Sequence, residues 1–273
     1  MCLPARDEAA TIGPILRELM PLADAGLVDQ VAVLDDSRDG TAAIARSWGA
    51  EVYEVRQLAP ELGPVLGKGD AMWRALAVLR GELVCFLDAD SEGVGPHYVC
   101  GLVGPLVMEP RVSFVKAFYR RPFRVGAVTL PDEGGRVTEL TARPLLERFY
   151  PELAAIRQPL AGEIAARREL LEHLPFVTGY GVDVALLIDA FAAVGIEGIA
   201  QVDLDVRQNA HQPLSELAGM AGAVLAAVAS RLEREGRLRG QGAGAGGEPV
   251  ERPAGAAHQL VERPAIADLR AAA

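Results

Sequence analysis

An α/β fold, with a mostly parallel sheet between two layers of helices, is what this sequence predicts. Apolar runs of strand length alternate with segments of helical spacing through the first half of the chain. The run Leu83-Val84-Cys85-Phe86-Leu87 is apolar without alternation, as expected of a strand buried on both faces. Two carboxylates, Asp88 and Asp90, follow where that strand should emerge, and open α/β sheets bind ligands at the carboxyl ends of their strands.

The elements follow in order. Ile12, Ile15, Leu16 and Leu19 at helical spacing predict a helix over 11–22. A strand is expected over 28–34, and the turn-forming stretch Asp35-Asp36-Ser37-Arg38-Asp39-Gly40 then leads to a helix from Thr41. Residues 51–55 read as a short strand. Gly67-Lys68-Gly69-Asp70 opens a helix reaching Leu79, and the Asp88/Asp90 strand comes next. Further on come a helix over 98–108, an apolar strand over 112–118, and helices over 138–146 and 182–194. A last strand spans 199–206, and a helix spans 214–234. This alternation is Rossmann-like, a nucleotide-binding architecture in general terms. Met1-Cys2-Leu3-Pro4 reads as the tail of a strand already under way, so a beginning upstream is expected. Residues 1–235 are expected to form one domain, 236–258 a flexible Gly/Ala-rich linker and 259–273 a C-terminal tail.

Composition narrows the function. The 273 residues are 50% hydrophobic but only 5% aromatic, with 29 glycines, which favours close helix–sheet packing over aromatic platforms for single-stranded nucleic acid. A formal charge of −10 argues against a nucleic-acid or anionic-membrane surface, so an anionic substrate needs a local cluster of Arg and Lys. Cys2, Cys85 and Cys100 have neither metal-ligand nor disulfide spacing, and a reduced, cytoplasmic protein is expected. No run of about 20 apolar residues, the length of a membrane span, is read in the sequence.

Several motifs carry chemistry. Asp88-Ala89-Asp90 offers hard oxygen ligands that suit Mg²⁺ or Mn²⁺ with a phosphorylated substrate, although an Asp-rich turn capping a helix has the same composition. Pro4-Ala5-Arg6-Asp7-Glu8 can present Glu8 to a sugar or base hydroxyl, or simply cap the next helix. Asp35 and Ser37 either hydrogen-bond a nucleobase or ribose, or form a turn. Gly67-Lys68-Gly69 is a short phosphate cradle without Walker spacing. Gly134-Gly135-Arg136-Val137-Thr138, at a helix start, combines backbone N–H groups, a guanidinium and a hydroxyl into an anion site. In Arg207-Gln208-Asn209-Ala210-His211, His211 is a candidate metal ligand.

In sequence order, Leu3-Pro4-Ala5, Glu8-Ala9-Ala10-Thr11-Ile12, Gly67-Lys68-Gly69, Asp88-Ala89-Asp90 and Val115-Lys116-Ala117-Phe118-Tyr119-Arg120-Arg121-Pro122 resemble one family. Gly134-Gly135-Arg136-Val137-Thr138-Glu139-Leu140, Gln158-Pro159-Leu160, Gly179-Tyr180-Gly181-Val182 and Ile199-Ala200-Gln201-Val202 extend the match. The family is that of glucosyl-3-phosphoglycerate and mannosyl-3-phosphoglycerate synthases, retaining glycosyltransferases of GT-A fold. The resemblance implies glucose transfer from UDP-glucose to the 2-hydroxyl of 3-phosphoglycerate by a cytoplasmic homodimer, with Mg²⁺ or Mn²⁺ as cofactor. By the same resemblance, Pro4, Ala5, Glu8, Ser37, Lys68 and Asp88 contact the donor. Leu160 and Asp183 line the sugar pocket, with Lys68 and Asp183 in catalytic roles. Asp90 binds the metal, and Gly135, Arg136 and Thr138 hold the acceptor phosphate.

Two departures from the family pattern stand out. The family's metal-ligand His and acceptor-side Asn are exchanged here as Asn209 and His211, so either can complete the metal site and both belong to the acceptor side. Asp183 stands where the family has Glu. Alternatives are GDP-mannose as donor and a degenerate protein that binds a nucleotide sugar with little turnover. A sugar-nucleotidyltransferase would need a Gly-rich, Arg-bearing loop after the first strand, which is missing.

Overall fold

The structure is a computed structural model and describes residues 1–125, 128–130, 134–207, 213–238 and 260–272. Strands β1 (Cys2–Ala5), β2 (Ala32–Asp35), β3 (Glu51–Glu54) and β4 (Leu83–Phe86) alternate with helices α1 (Ile12–Asp24), α2 (Thr41–Ser47) and α3 (Lys68–Ala75). Then follow α4 (Pro96–Met108), β5 (Phe114–Arg120) and a hairpin of β6 (Phe123–Val125) with β7 (Val128–Leu130). A π-helical turn over Thr138–Ala142 runs into α5 (Arg143–Phe149). Next are β8 (Ile164–Arg167), α6 (Arg168–His173), β9 (Phe176–Val177), α7 (Val182–Val194), β10 (Ile199–Val206) and α8 (Leu214–Arg234). The described chain closes with β11 (Glu262–Arg263) and α9 (Ile266–Ala272).

Seven strands form the main sheet in the order β10-β5-β8-β4-β1-β2-β3, parallel throughout except for β8, which runs against both neighbours. Each central strand divides its side chains between two cores. Cys2, Leu34, Val84, Phe86 and Phe114 face one, with α3, α7 and α8. Leu3, Val33, Cys85, Leu87 and Val115 face the other, with α1 and α4. That double burial is why the strands read as continuous apolar runs. Helix α1 sends Ile12, Ile15, Leu16 and Leu19 into the second core, each at 2% exposure or less. By area, each such side chain contributes about 1.5–3 kcal/mol.

Several expectations need correction. The strand expected over 28–34 starts only at Ala32, because the Val28 N–H still bonds Leu22 O at the end of α1. Helix α3 stops at Ala75 and continues to Leu79 as turns. Strand β8 was not expected at all. The segment after the linker, expected as a tail, is packed on the domain. β11 pairs with β9, α9 packs on α6, and Trp73 Nε1 donates to Pro264 O at 2.8 Å. The expected linker lies mostly outside the described residues. Helix α8, contrary to the sequence reading, is long and apolar enough by length and composition to cross a membrane. Here Val224, Ala227, Val228 and Leu232 are buried on its inner face, and it packs against α7.

Candidate active site

The carboxyl ends of the parallel strands open into a cavity of about 420 Å³. Pro4, Ala5 and Glu8 border it from the loop after β1, and Asp88 and Asp90 from the turn after β4. Arg121, Gly135, Arg136 and Thr138 come from the segments around the hairpin, and Leu160 from the loop before β8. Lys68 opens α3, Asp183 stands in the first turn of α7, and Arg207 follows β10. The local basic cluster expected in this acidic chain is therefore Lys68, Arg121, Arg136 and Arg207.

Lys68 is aimed by its neighbour. Gly67 has φ of 105°, a conformation that L side chains rarely adopt, and the chain turns there directly into α3. Lys68 Nζ lies 2.6 Å from Asp88 Oδ1 and 3.4 Å from the Asp183 carboxylate. Burial alone would lower its pKa, but Asp183 and Asp88 outweigh it and the ammonium is held well above its ordinary range. Burial likewise works to raise Asp88, and Lys68 and Arg207 hold it low instead. At Asp183 burial prevails, and the carboxyl is pushed up despite Lys68 and Lys116. The Lys68–Asp88 pair leaves no room above Gly162, where a Cβ would fall 2.3 Å from both Asp88 oxygens and from Lys68 Nζ. Gly162→Ala should therefore split this pair and lower kcat by about a hundredfold, the worth of a charge-assisted hydrogen bond. Steady-state kinetics check this, and unchanged turnover would rule out the pair's importance.

Arg207 joins the remaining carboxylates. Its side chain is 4% exposed; Nη2 lies 2.9 Å from Asp88 and 3.0 Å from Asp90, and Nη1 lies 2.7 Å from Glu163. Nη1 also donates to Tyr119 Oη at 2.7 Å, and that hydroxyl donates to Glu163 at 3.0 Å. A planar guanidinium can serve several acceptors at once, which an ammonium on a flexible stem does less well. Glu163 is fully buried, and its carboxyl is raised by burial in spite of Arg207.

Lys116 completes the charge set from below. It shares the Phe114 face of β5, is completely buried, and donates to Ala161 O at 2.7 Å and Asp183 O at 3.3 Å. It thus ties the loop before β8 to the start of α7, and burial lowers its pKa to about 8. Only two of the chain's 27 basic residues are lysines, Lys68 and Lys116, and both are here. Lys116, Tyr119 and Glu163 were missed as functional residues. A lysine inside an apolar strand, in a chain so poor in lysine, was the available signal.

Ser37 is engaged by a neighbouring loop. Its Oγ accepts a hydrogen bond from Asp7 N at 2.9 Å, and Thr41 Oγ1 accepts from Glu8 N at 2.9 Å. The loop after β2 therefore shapes the loop after β1 rather than lining the cavity with Ser37. Glu8 borders the cavity and its carboxylate accepts the Thr11 hydroxyl at 3.0 Å, but among the described residues no side chain caps the N-terminus of α1. The buried Asp35 Oδ1 has no hydrogen-bond partner among the described residues. Gly134 N donates to Arg121 O at 2.9 Å, which holds the Gly-Gly-Arg turn beside Arg121.

Asn209 and His211 lie outside the described residues, and among the described ones no group of three or more His, Cys, Asp or Glu side chains converges for a metal. The residues present still fit such an ion. Mg²⁺ usually takes one or two protein carboxylates plus substrate phosphates, and the Asp90 side chain is 53% exposed beside the cavity.

The description "Glycosyl transferase family 2" matches residues 1–172. The glucosyl-3-phosphoglycerate synthase of Petrotoga mobilis is 45% identical over 241 residues, covering 87% of this chain and 74% of that one. That of Mycobacterium tuberculosis is 48% identical over 233 residues, covering 84% and 72%. Among solved structures, mannosyl-3-phosphoglycerate synthase from Rubrobacter xylanophilus superposes with a TM-score of 0.87 at 47% identity, covering 98% of this chain and 89% of that one. The M. tuberculosis glucosyl-3-phosphoglycerate synthase, in complex with Mn²⁺, UDP-glucose and phosphoglyceric acid, gives 0.84 at 42% identity, covering 98% and 90%.

Proposed function

Because this chain belongs to glycosyl transferase family 2, among the glucosyl-3-phosphoglycerate and mannosyl-3-phosphoglycerate synthases, we propose that it moves glucose from UDP-glucose to the 2-hydroxyl of 3-phosphoglycerate, with retention. The observation that carries this reading is one cavity bordered by a cation–carboxylate cluster on one side and Gly135, Arg136 and Thr138 on the other. The first suits a nucleotide-sugar diphosphate, the second a phosphate monoester.

In this reading Pro4, Ala5 and Glu8 hold the nucleoside, with Ser37 fixing their loop. Asp88 orients the ribose and sugar, and Leu160 and Asp183 bound the sugar. Arg136 and Thr138 hold the acceptor phosphate, with Asn209 and His211 on the acceptor side. Mg²⁺ or Mn²⁺, held by Asp90 with His211 or Asn209, supplies a Lewis acid for the diphosphate. Lys68 donates to the leaving diphosphate as its charge grows, an electrostatic contribution that is greatest in the transition state. Asp88 and Asp183 are engaged by Lys68 and Glu163 is fully buried, so none of the three is a free nucleophile. The bond from the anomeric carbon to the departing phosphate breaks as the bond to the acceptor oxygen forms on the same face. The acceptor proton passes to the leaving phosphate oxygen. Three unpaired cysteines fit a reducing cytoplasm.

Asp183 tests the sugar side. Its 3.4 Å separation from Lys68 exceeds the 2.7–2.9 Å of a good charge-assisted bond, and a Glu can close that gap. Asp183→Glu should keep kcat within about tenfold, whereas Asp183→Asn should lose about a hundredfold. Equal losses would remove the carboxylate from the mechanism.

The likeness to the R. xylanophilus mannosyl enzyme favours a second reading, with GDP-mannose as donor. Parallel assays of UDP-glucose and GDP-mannose with 3-phosphoglycerate, with NMR of the product anomer, separate the two. The first reading expects a glucosyl product of retained configuration. An inverted product would exclude the mechanism, and faster turnover of GDP-mannose would favour the second reading.

A further inference from the structure

The segment Leu260–Ala272 makes more buried polar contacts than a passive tail needs. Arg263 grips Asp70 with both arms of its guanidinium, Nε at 2.8 Å and Nη2 at 2.9 Å, and Asp70 is completely buried in the first turn of α3. The same carboxylate accepts Leu66 N at 2.9 Å, in the loop that delivers Gly67 and Lys68, and Arg74 Nε at 3.1 Å. Burial works to raise Asp70, but Arg263 and Arg74 hold it ionised below its ordinary range. Val261 O accepts both the N–H of Thr178, at 2.9 Å, and its hydroxyl, at 3.0 Å. Thr178 O in turn accepts Asp70 N at 3.1 Å. Three residues of the segment therefore fasten the start of α3, through Arg263, its later part, through Pro264 on Trp73, and the Thr178–Tyr180 loop, through Val261. Lys68 and Tyr180 project from these two walls into the cavity. At its outer end, Glu262 is anchored by Arg231 at 2.6 Å.

We propose that this C-terminal segment is a strap that sets the position of Lys68, with Arg263 as its positioning residue for the donor diphosphate. The inference rests on the reading of Lys68 as a donor-binding group. Arg263 touches no substrate in this account. It holds the Asp70 hub, the hub fixes the first turn of α3, and that turn aims the ammonium between Asp88 and Asp183. A guanidinium suits this task because both carboxylate oxygens are held in one plane, which resists rotation of the helix start.

The scarcity of lysine gives a test that needs no substrate. Lys68 and Lys116 are the only side-chain amines, so acetic anhydride labelling read by mass spectrometry reports Lys68, with buried Lys116 as an internal control for opening of the core. In Arg263→Gln, Lys68 should lose part of its pairing with Asp88, its pKa should fall, and it should label about tenfold faster. Lys116 should stay unreactive. The Kd for UDP and the KM for UDP-glucose should rise about tenfold, with the KM for 3-phosphoglycerate within about twofold of the parent. Arg263→Lys, which keeps the charge but not the fork, should lie between.

Wild-type Lys68 labelling in Arg263→Gln, with Lys116 still protected, would overturn the proposal. If Lys116 also labels in that variant, Arg263→Lys decides. Lys68 labelling faster than in the parent, with Lys116 protected, supports the strap, and parental Lys68 labelling overturns it. If the parent protein fails to bind UDP, the donor reading fails while Lys68 labelling still decides the strap.

Discussion

Asp90→Ala should lower metal-dependent turnover by about a thousandfold while leaving stability nearly unchanged. The Asp90 side chain is 53% exposed, and among the described residues its ion pair is with Arg207 Nη2 at 3.0 Å, a group shared with Asp88 at 2.9 Å. Losing an exposed partner of that kind costs about 0–1 kcal/mol, because water screens the pair and re-solvates what is left. On the proposed role of Asp90, losing its carboxylate also loses the divalent ion that offsets the charge of the departing diphosphate. Turnover and stability therefore separate at this residue. The measurement is kcat across a Mn²⁺ titration beside a thermal melt. Full turnover with metal present would remove Asp90 from the metal site.

Arg207→Met should do the opposite and cost both. Arg207 is 5% exposed and faces Glu163, which is completely buried. Removing one partner of such a pair leaves an uncompensated buried charge, at about 3–5 kcal/mol. The pH dependence follows from Glu163, whose carboxyl stands above its ordinary value in the folded protein because of burial. Protonation therefore favours the folded state, and the favourable contribution is lost as pH rises through the folded pKa. Without Arg207 that carboxyl should rise further. The stability deficit of Arg207→Met against the parent should be smaller near pH 5 than near pH 8. Urea denaturation at the two values checks it, and a deficit that grows toward acid pH would contradict the assignment.

What could be read from the sequence was whatever depends on local pattern. Helix α7 and strand β10 begin and end where helical spacing and apolar alternation place them, and Asp88 and Asp90 follow a strand buried on both faces. Strand β8 escaped because Ile164-Ala165-Ala166-Arg167 is too short for periodicity to tell strand from helix. Its antiparallel insertion between β4 and β5 is a property of the whole sheet. The Glu163–Arg207–Asp88 network joins residues up to 119 apart in sequence, and no spacing rule reaches that far. Ser37 was legible as a loop former, and its bond to Asp7 N fills that role. The strap was invisible for a related reason. Glu262 and Arg263 look like a charged tail until Asp70, Arg231 and β9 are folded against them.

On the proposed function, one cavity brings a nucleotide sugar, a divalent ion and 3-phosphoglycerate together for glucose transfer. A single assay tests it most directly: UDP release from UDP-glucose, with and without Mn²⁺ and with and without 3-phosphoglycerate. Release is expected only when ion and acceptor are both present, with glucosyl-3-phosphoglycerate formed in equal amount. Binding of UDP-glucose with no release under any of the four conditions would contradict it.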